Sequence, residues 1–247
     1  MQQMPIRSPS FKELASFISY RLHRNVQTDV PLIQQWTDKP ISSVCLTLEP
    51  INFDLHTPRA SAYFLHRIWG REYTYKNFGI IGSHSGFDQE LTTNYNIELA
   101  TQLGASVVTP VFRMPEQSKL IGMFCLLDTP VPVEHFYEKV KNIFQCDMEV
   151  FEINNKQTVS KVAVMFAFND LEVRRAKEEG VDVYITGQTR PLGRKEAEKL
   201  EVALIAVGHR NSELWGLRQL AVEIKNRFPE ITVDVLDQVQ QCSEKTQ

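Results

Sequence analysis

The chain has 247 residues, 43% of them hydrophobic, which suits one large domain or two lobes of roughly 100–150 residues and excludes a disulfide-stapled or disordered polypeptide. Lys and Arg number 27 against 30 Asp and Glu, a net charge of −3, so no basic excess favours a phosphate backbone and nucleic acid is not the expected partner. Cys45, Cys125, Cys146 and Cys242 stand far apart with no CxxC pair, which excludes a zinc knuckle or a thioredoxin-like motif and leaves reduced thiols in a reducing compartment.

The opening segment MQQMPIRSPSFKELASF lacks the apolar stretch of a signal peptide, and nowhere is there a run of about 18 apolar residues. No membrane partner and a cytoplasmic location are expected. The acid-free first stretch, with Arg7 and two serines, is also compatible with an organelle transit segment.

In chain order, Ser10 can cap a helix in which Phe11, Leu14, Phe17 and Ile18 recur at helical spacing. ISSVCLTL (41–48) reads as a strand ended by Glu49-Pro50, TPRASAYFL (57–65) as a proline-initiated helix running into a short strand, and FGIIGSH (78–84) as another strand. A helix over Asn94–Leu103 is stopped by Gly104. Then come a strand near Leu120–Leu127, a helix over Pro132–Phe144, a strand over Lys161–Phe168, and a helix over Leu171–Glu179 capped by Asn169-Asp170 and closed by Gly180. Val181–Thr186, Val202–Val207 and Ile231–Val235 read as strands, alternating with helices over Arg194–Leu200 and Ser212–Arg227. This alternation predicts an α/β protein. The composition shift at VFRMPEQ (111–117) suggests an N-terminal α/β lobe over 1–115 and a C-terminal one over 116–247, whose last segment can return to the first lobe.

Two segments join a histidine to a carboxylate four residues on, just beyond an apolar strand. His209 follows Val202–Val207, with Glu213 at the expected helix start. Ligands of open α/β folds bind at the carboxyl ends of strands, and an imidazole with a carboxylate suits a borderline cation such as zinc, iron or manganese. The same spacing also fits a polar turn with Glu213 favoured by the helix dipole. His84 and Asp88 in SHSGFD repeat the arrangement, with a polar loop capped by Asp88 as the alternative. His66 follows an apolar strand and could complete the donor set, or be a packed core histidine; His56, two residues after Asp54, is a reserve donor. His23 and His135 are expected on solvent-exposed helix faces. A phosphate-loop reading is weak, since neither GxxxxGK[ST] nor GxGxxG occurs.

The segments VDVYITGQ (181–188), ALIAVGHRNSELWGLRQL (203–220), FPEITVDVLD (228–237) and GSHSGFD (82–88) resemble the NIF3-like family, whose members carry the name GTP cyclohydrolase I type 2 homologues. The resemblance implies two α/β lobes with a metal site between them, His209, Glu213 and Asp88 as ligands, and His84 lining the pocket. It also implies one or two divalent ions per chain, a small, nucleotide-like substrate and a ring-like homo-hexamer. The family's His-His-Pro is met by Leu65-His66-Arg67, so His66 is retained as a metal ligand while Leu65 stands where a donor is expected, and Gln188 replaces a usual glutamate. Water activation with His84 as proton acceptor is the implied chemistry, and a non-catalytic binding or regulatory adaptor is the alternative.

Overall fold

The computed structural model describes residues 7–23, 32–50, 59–68, 77–113, 120–151 and 156–237. In order, its elements are α1 (Phe11–Leu22), β1 (Leu32–Gln35), β2 (Ser43–Thr47), β3 (Ala62–Leu65), β4 (Gly79–Gly82), α2 (Ser85–Leu91), α3 (Ile97–Leu103), β5 (Ala105–Phe112), β6 (Leu120–Pro132), α4 (Val133–Phe144), β7 (Glu149–Phe151), β8 (Thr158–Phe168), α5 (Asp170–Glu178), β9 (Val183–Thr189), α6 (Pro191–Leu200), β10 (Ala203–Ala206), α7 (His209–Arg227) and β11 (Thr232–Leu236). They form a mixed α/β fold with two sheets. Among the described residues, no helix is long and apolar enough to cross a membrane.

The chain divides into two compact units, one made of the residues up to Glu90 and those from Gly216, the other of Leu91–Trp215. The division expected at residue 115 lies between β5 and β6, which pair with each other inside the second unit.

In the first unit, α1 begins as its sequence implies. The Ser10 hydroxyl accepts from the Glu13 amide at 3.3 Å, and the Glu13 carboxylate accepts from the Ser10 amide at 2.8 Å. This reciprocal capping box satisfies two otherwise orphaned donors. Phe11, Leu14, Ala15, Ile18 and Leu22 form its buried stripe, while Phe17 is half-buried with its edge against Phe228. The sheet runs β1-β4-β3-β2-β11, with β4, β3, β2 and β11 parallel and β1 antiparallel at one edge. Both faces of the central strands are buried, so AYFL and GIIG read as unbroken apolar runs. Of the expected helix-into-strand over 57–65, the strand is β3; residues 57 and 58 lie outside the described residues, and 59–61 are not helical.

The second unit's sheet runs β5-β6-β8-β9-β10-β7; β8, β9 and β10 are parallel, while β5, β6 and β7 join antiparallel. Pro110 is tolerated because β5 is an edge strand. The helix expected from Asn94 starts at Ile97, because the Asn96 side chain accepts from the Leu99 amide at 3.2 Å and so acts as the cap. Gly104, at φ 89°, ends it in a left-handed conformation that glycine adopts without penalty. At the other end of the unit, α7 begins at His209, three residues earlier than expected.

Candidate metal centre

Adjacent parallel strands bring together residues far apart in sequence. Leu65 pairs with Gly82 at the ends of β3 and β4, so His66 and Ser83-His84 leave the carboxyl edge side by side. The Ser83 amide donates to the Leu65 carbonyl at 3.2 Å, extending the ladder to this edge. Asp88 sits in the first turn of α2, with its amide donating to the His84 carbonyl at 2.9 Å. Asp88 is therefore part of the helix and not its cap.

These three side chains converge. Asp88 Oδ1 lies 3.5 Å from His66 Nε2, and Oδ2 lies 3.7 Å from His84 Nδ1. One ligand atom from each residue falls within 4.8 Å of the others. The two imidazoles stack at 4.7 Å between centroids with an interplanar angle of 8°, and Phe87 covers the His66 ring at 4.7 Å. His66 is wholly buried, whereas the His84 side chain is 30% exposed.

The other nitrogen of His66 reveals its tautomer. Nδ1 lies 3.2 Å from the Ser83 carbonyl oxygen, which can only accept, so the proton belongs on Nδ1. In the neutral ring, Nε2 then turns a lone pair towards a carboxylate, an arrangement that a cation between them would relieve. A backbone carbonyl fixing the remote nitrogen of a ligating histidine is the usual outer support of a metal site. Ligand bonds of about 2.0–2.2 Å at angles of about 90–110° separate donor atoms by about 2.8–3.6 Å. The 3.5 Å between His66 Nε2 and Asp88 Oδ1 meets that requirement, the 3.7 Å between His84 Nδ1 and Asp88 Oδ2 slightly exceeds it, and an imidazole with a carboxylate suits zinc, iron or manganese.

In the second unit, β10 leads through Val207 and Gly208 into α7. His209 Nε2 lies 3.0 Å from Glu213 Oε1, a separation that serves either a hydrogen bond or a shared cation. Glu213 is fully buried while its partner is 39% exposed, and the Phe166 ring meets the imidazole edge-on at 5.8 Å. Ser212 Oγ donates to the His209 carbonyl at 2.8 Å, securing the first turn. Nearby, the Gly187 amide donates to Thr93 Oγ1 at 3.1 Å, and a Cβ on Gly187 would lie 2.9 Å from Ser212 Oγ. A side chain at Gly187 would therefore press on that hydroxyl, and Gln188 beside it is exposed.

Each candidate named from the sequence has a definite place. His66, His84 and Asp88 share one cluster, so His84, expected to be a proton acceptor, lies beside the expected ligands His66 and Asp88. His209 and Glu213 form a pair of their own. His23 and His135 are exposed, while Asp54 and His56 lie outside the described residues. Leu65 packs with Cys45, Tyr63 and Ile80. Because strand neighbours alternate, its side chain lies on the opposite face from Phe64 and His66, both of which meet Phe87. Ser83, whose carbonyl orients His66, was not singled out from the sequence; only strand register reveals it.

These observations define an α/β protein with a histidine–carboxylate donor set at the carboxyl edge of a largely parallel sheet. The chain belongs to the Duf34/NIF3 (NGG1p interacting factor 3) family, whose model matches residues 61–242. It is 24% identical over 152 residues to a GTP cyclohydrolase 1 type 2 homolog of Pseudomonas aeruginosa, a match covering 62% of this chain and 59% of that protein. The match thus spans about three fifths of the curated relative's length. Among solved structures, its fold is similar to reduced HcgD from Methanocaldococcus jannaschii, with a TM-score of 0.67 and 17% identity, covering 94% of this chain and 99% of that one. It is also similar to the Bacillus cereus protein related to NIF3, with a TM-score of 0.57 and 13% identity, covering 94% and 97% respectively.

Proposed function

We propose that this protein binds one or two divalent cations, of zinc, iron or manganese, through His66, Asp88, His209 and Glu213, and that it catalyses a hydrolytic reaction on a small, nucleotide-like molecule. The observation that carries the reading is the His66 geometry: Nδ1 is committed to a carbonyl while Nε2 faces a carboxylate. A divalent cation held there would lower the pKa of water and polarise an electrophile. The residues have separable tasks. Asp88 supplies negative charge, the Ser83 carbonyl holds the His66 ring, and Phe87 shields one side of that ring. His84, the more exposed imidazole, can accept a proton and exchange it with solvent.

The name of the Pseudomonas relative directs the first substrate trial to GTP and related purine nucleotides, by hydrolytic attack on the ring. Chelator-stripped protein should be inactive, regain turnover with one of the three metals, and lose it in His84→Ala while retaining the cation. Full turnover in stripped protein would refute the hydrolase reading. Leu65 and Gln188, where donor and acidic residues are expected, favour a second reading as a binding adaptor, which predicts metal uptake without turnover of any nucleotide tried. By the same family resemblance we propose a homo-hexamer, and from the sequence pattern a cytoplasmic location; light scattering giving the mass of one chain would contradict that assembly.

A further inference from the structure

We infer that Arg21, on the last turn of α1, is a positioning residue for the donor cluster, acting through Glu90 to hold the helix that carries Asp88. This inference rests on the metal reading above. With only seven residues, α2 is too short to be stable by itself, so its orientation must come from packing.

Two contacts one helical turn apart supply that packing. A Cβ on Gly86 would lie 2.5 Å from the Leu22 carbonyl oxygen, so the start of α2 abuts the end of α1 with no room for a side chain. Four residues on, the Glu90 carboxylate meets the Arg21 guanidinium, with Nη1 and Oε2 3.4 Å apart. Both side chains are nearly inaccessible, at 8% and 6% exposure. Arg21 Nε also donates to Glu223 Oε2 at 2.5 Å, so one cation links α1, α2 and α7 within the first unit.

Positions 86 and 90 share a helix face, whereas position 88 is turned about 200° from 86 and faces the other way. The face held by Arg21 is thus opposite the face that presents Asp88 to His66 and His84. A guanidinium can bridge two carboxylates in fixed geometry; a neutral side chain in its place would leave Glu90 and Glu223 to repel each other. Relief of that repulsion would move α2 and carry Asp88 away from the imidazoles. A donor must be held within about 0.5 Å of its working position, so a small shift suffices.

The test uses the full chain, stripped of metal and titrated with cobalt(II) alone, following visible absorption. Hydrogen exchange at the amides of Phe87–Leu91, compared with those of Tyr63–Leu65, reports local release of α2. Arg21→Met should weaken cobalt binding by about tenfold or more, as removal of outer-shell support does elsewhere, and speed exchange in α2 while leaving β3 unchanged. Arg21→Lys, which keeps the charge, should recover most of the affinity. Should Arg21→Met fail to fold, the nearly isosteric Glu90→Gln should weaken binding in the same direction. Unchanged affinity in Arg21→Met or Glu90→Gln, or equal losses in Arg21→Met and Arg21→Lys, would overturn the positioning role alone. A wild type that takes up no cobalt would instead overturn the metal reading beneath it.

Discussion

Replacing Leu65 with histidine would recreate the tandem histidines on which the family resemblance turns. The structure predicts that this restores sequence without restoring a donor. Leu65 is fully buried on the face of β3 that packs with Cys45, Tyr63 and Ile80, while His66 lies on the other face. Losing the leucine forfeits about 1.5–3 kcal/mol of apolar burial. An imidazole left there without hydrogen-bond partners adds a desolvation cost of about 1–3 kcal/mol. Leu65→His should therefore destabilise the fold by about 4 kcal/mol, seen as a lower urea midpoint at unchanged slope. Its metal content, by elemental analysis after reconstitution, should not exceed that of the wild type. A variant with full stability and one more equivalent of metal would refute this account of the strand's two faces.

Asp182 offers a prediction separate from the site. Burial acts to raise its carboxyl, but Lys156 and the amides of Lys161 and Ser160 outweigh burial and hold it below the usual carboxylate range. Its stabilising effect is therefore present above the ordinary carboxylate pKa and is lost as pH falls through the lowered one. Asp182→Asn should cost about 1–2 kcal/mol at neutral pH, Lys156 being half-exposed and screened, and unfolding curves of wild type and variant should converge in acid. A gap that widens on acidification would contradict the argument. The buried thiols of Cys45 and Cys125 are pushed up to about 12 by burial, aided at Cys45 by Asp234. Both should alkylate about a thousandfold more slowly in native than in denatured protein at pH 8, checked by mass spectrometry of labelled peptides.

Local chemistry made much of the architecture legible. Ser10 with Glu13 announces the start of α1, Gly104 the end of α3, and the apolar runs of β8, β9 and β10 declare strands buried on both faces. Where the local signal was thin, structure was needed. Pro110 and a half-exposed face conceal β5, β7 has only three residues, and α2 carries Gly86 inside a polar segment. The histidine–carboxylate spacing at 84/88 and 209/213 was visible because i and i+4 share a helix face. The meeting of His66 with His84 was not, because it depends on the β3–β4 register. Arg21 reads as an ordinary charged residue at a helix end, and only the approach of Glu90 and Glu223 gives it another meaning.

The central claim is that His66 and Asp88, with His84 beside them, hold a divalent cation. Its most direct test is the metal content of protein purified without chelator and supplemented in turn with zinc, iron and manganese, for the wild type and for His66→Ala combined with Asp88→Asn. The account predicts one or two equivalents per wild-type chain and at least one fewer in the folded double variant. A wild type that takes up none of the three metals, or a double variant that keeps the full wild-type content, would contradict it.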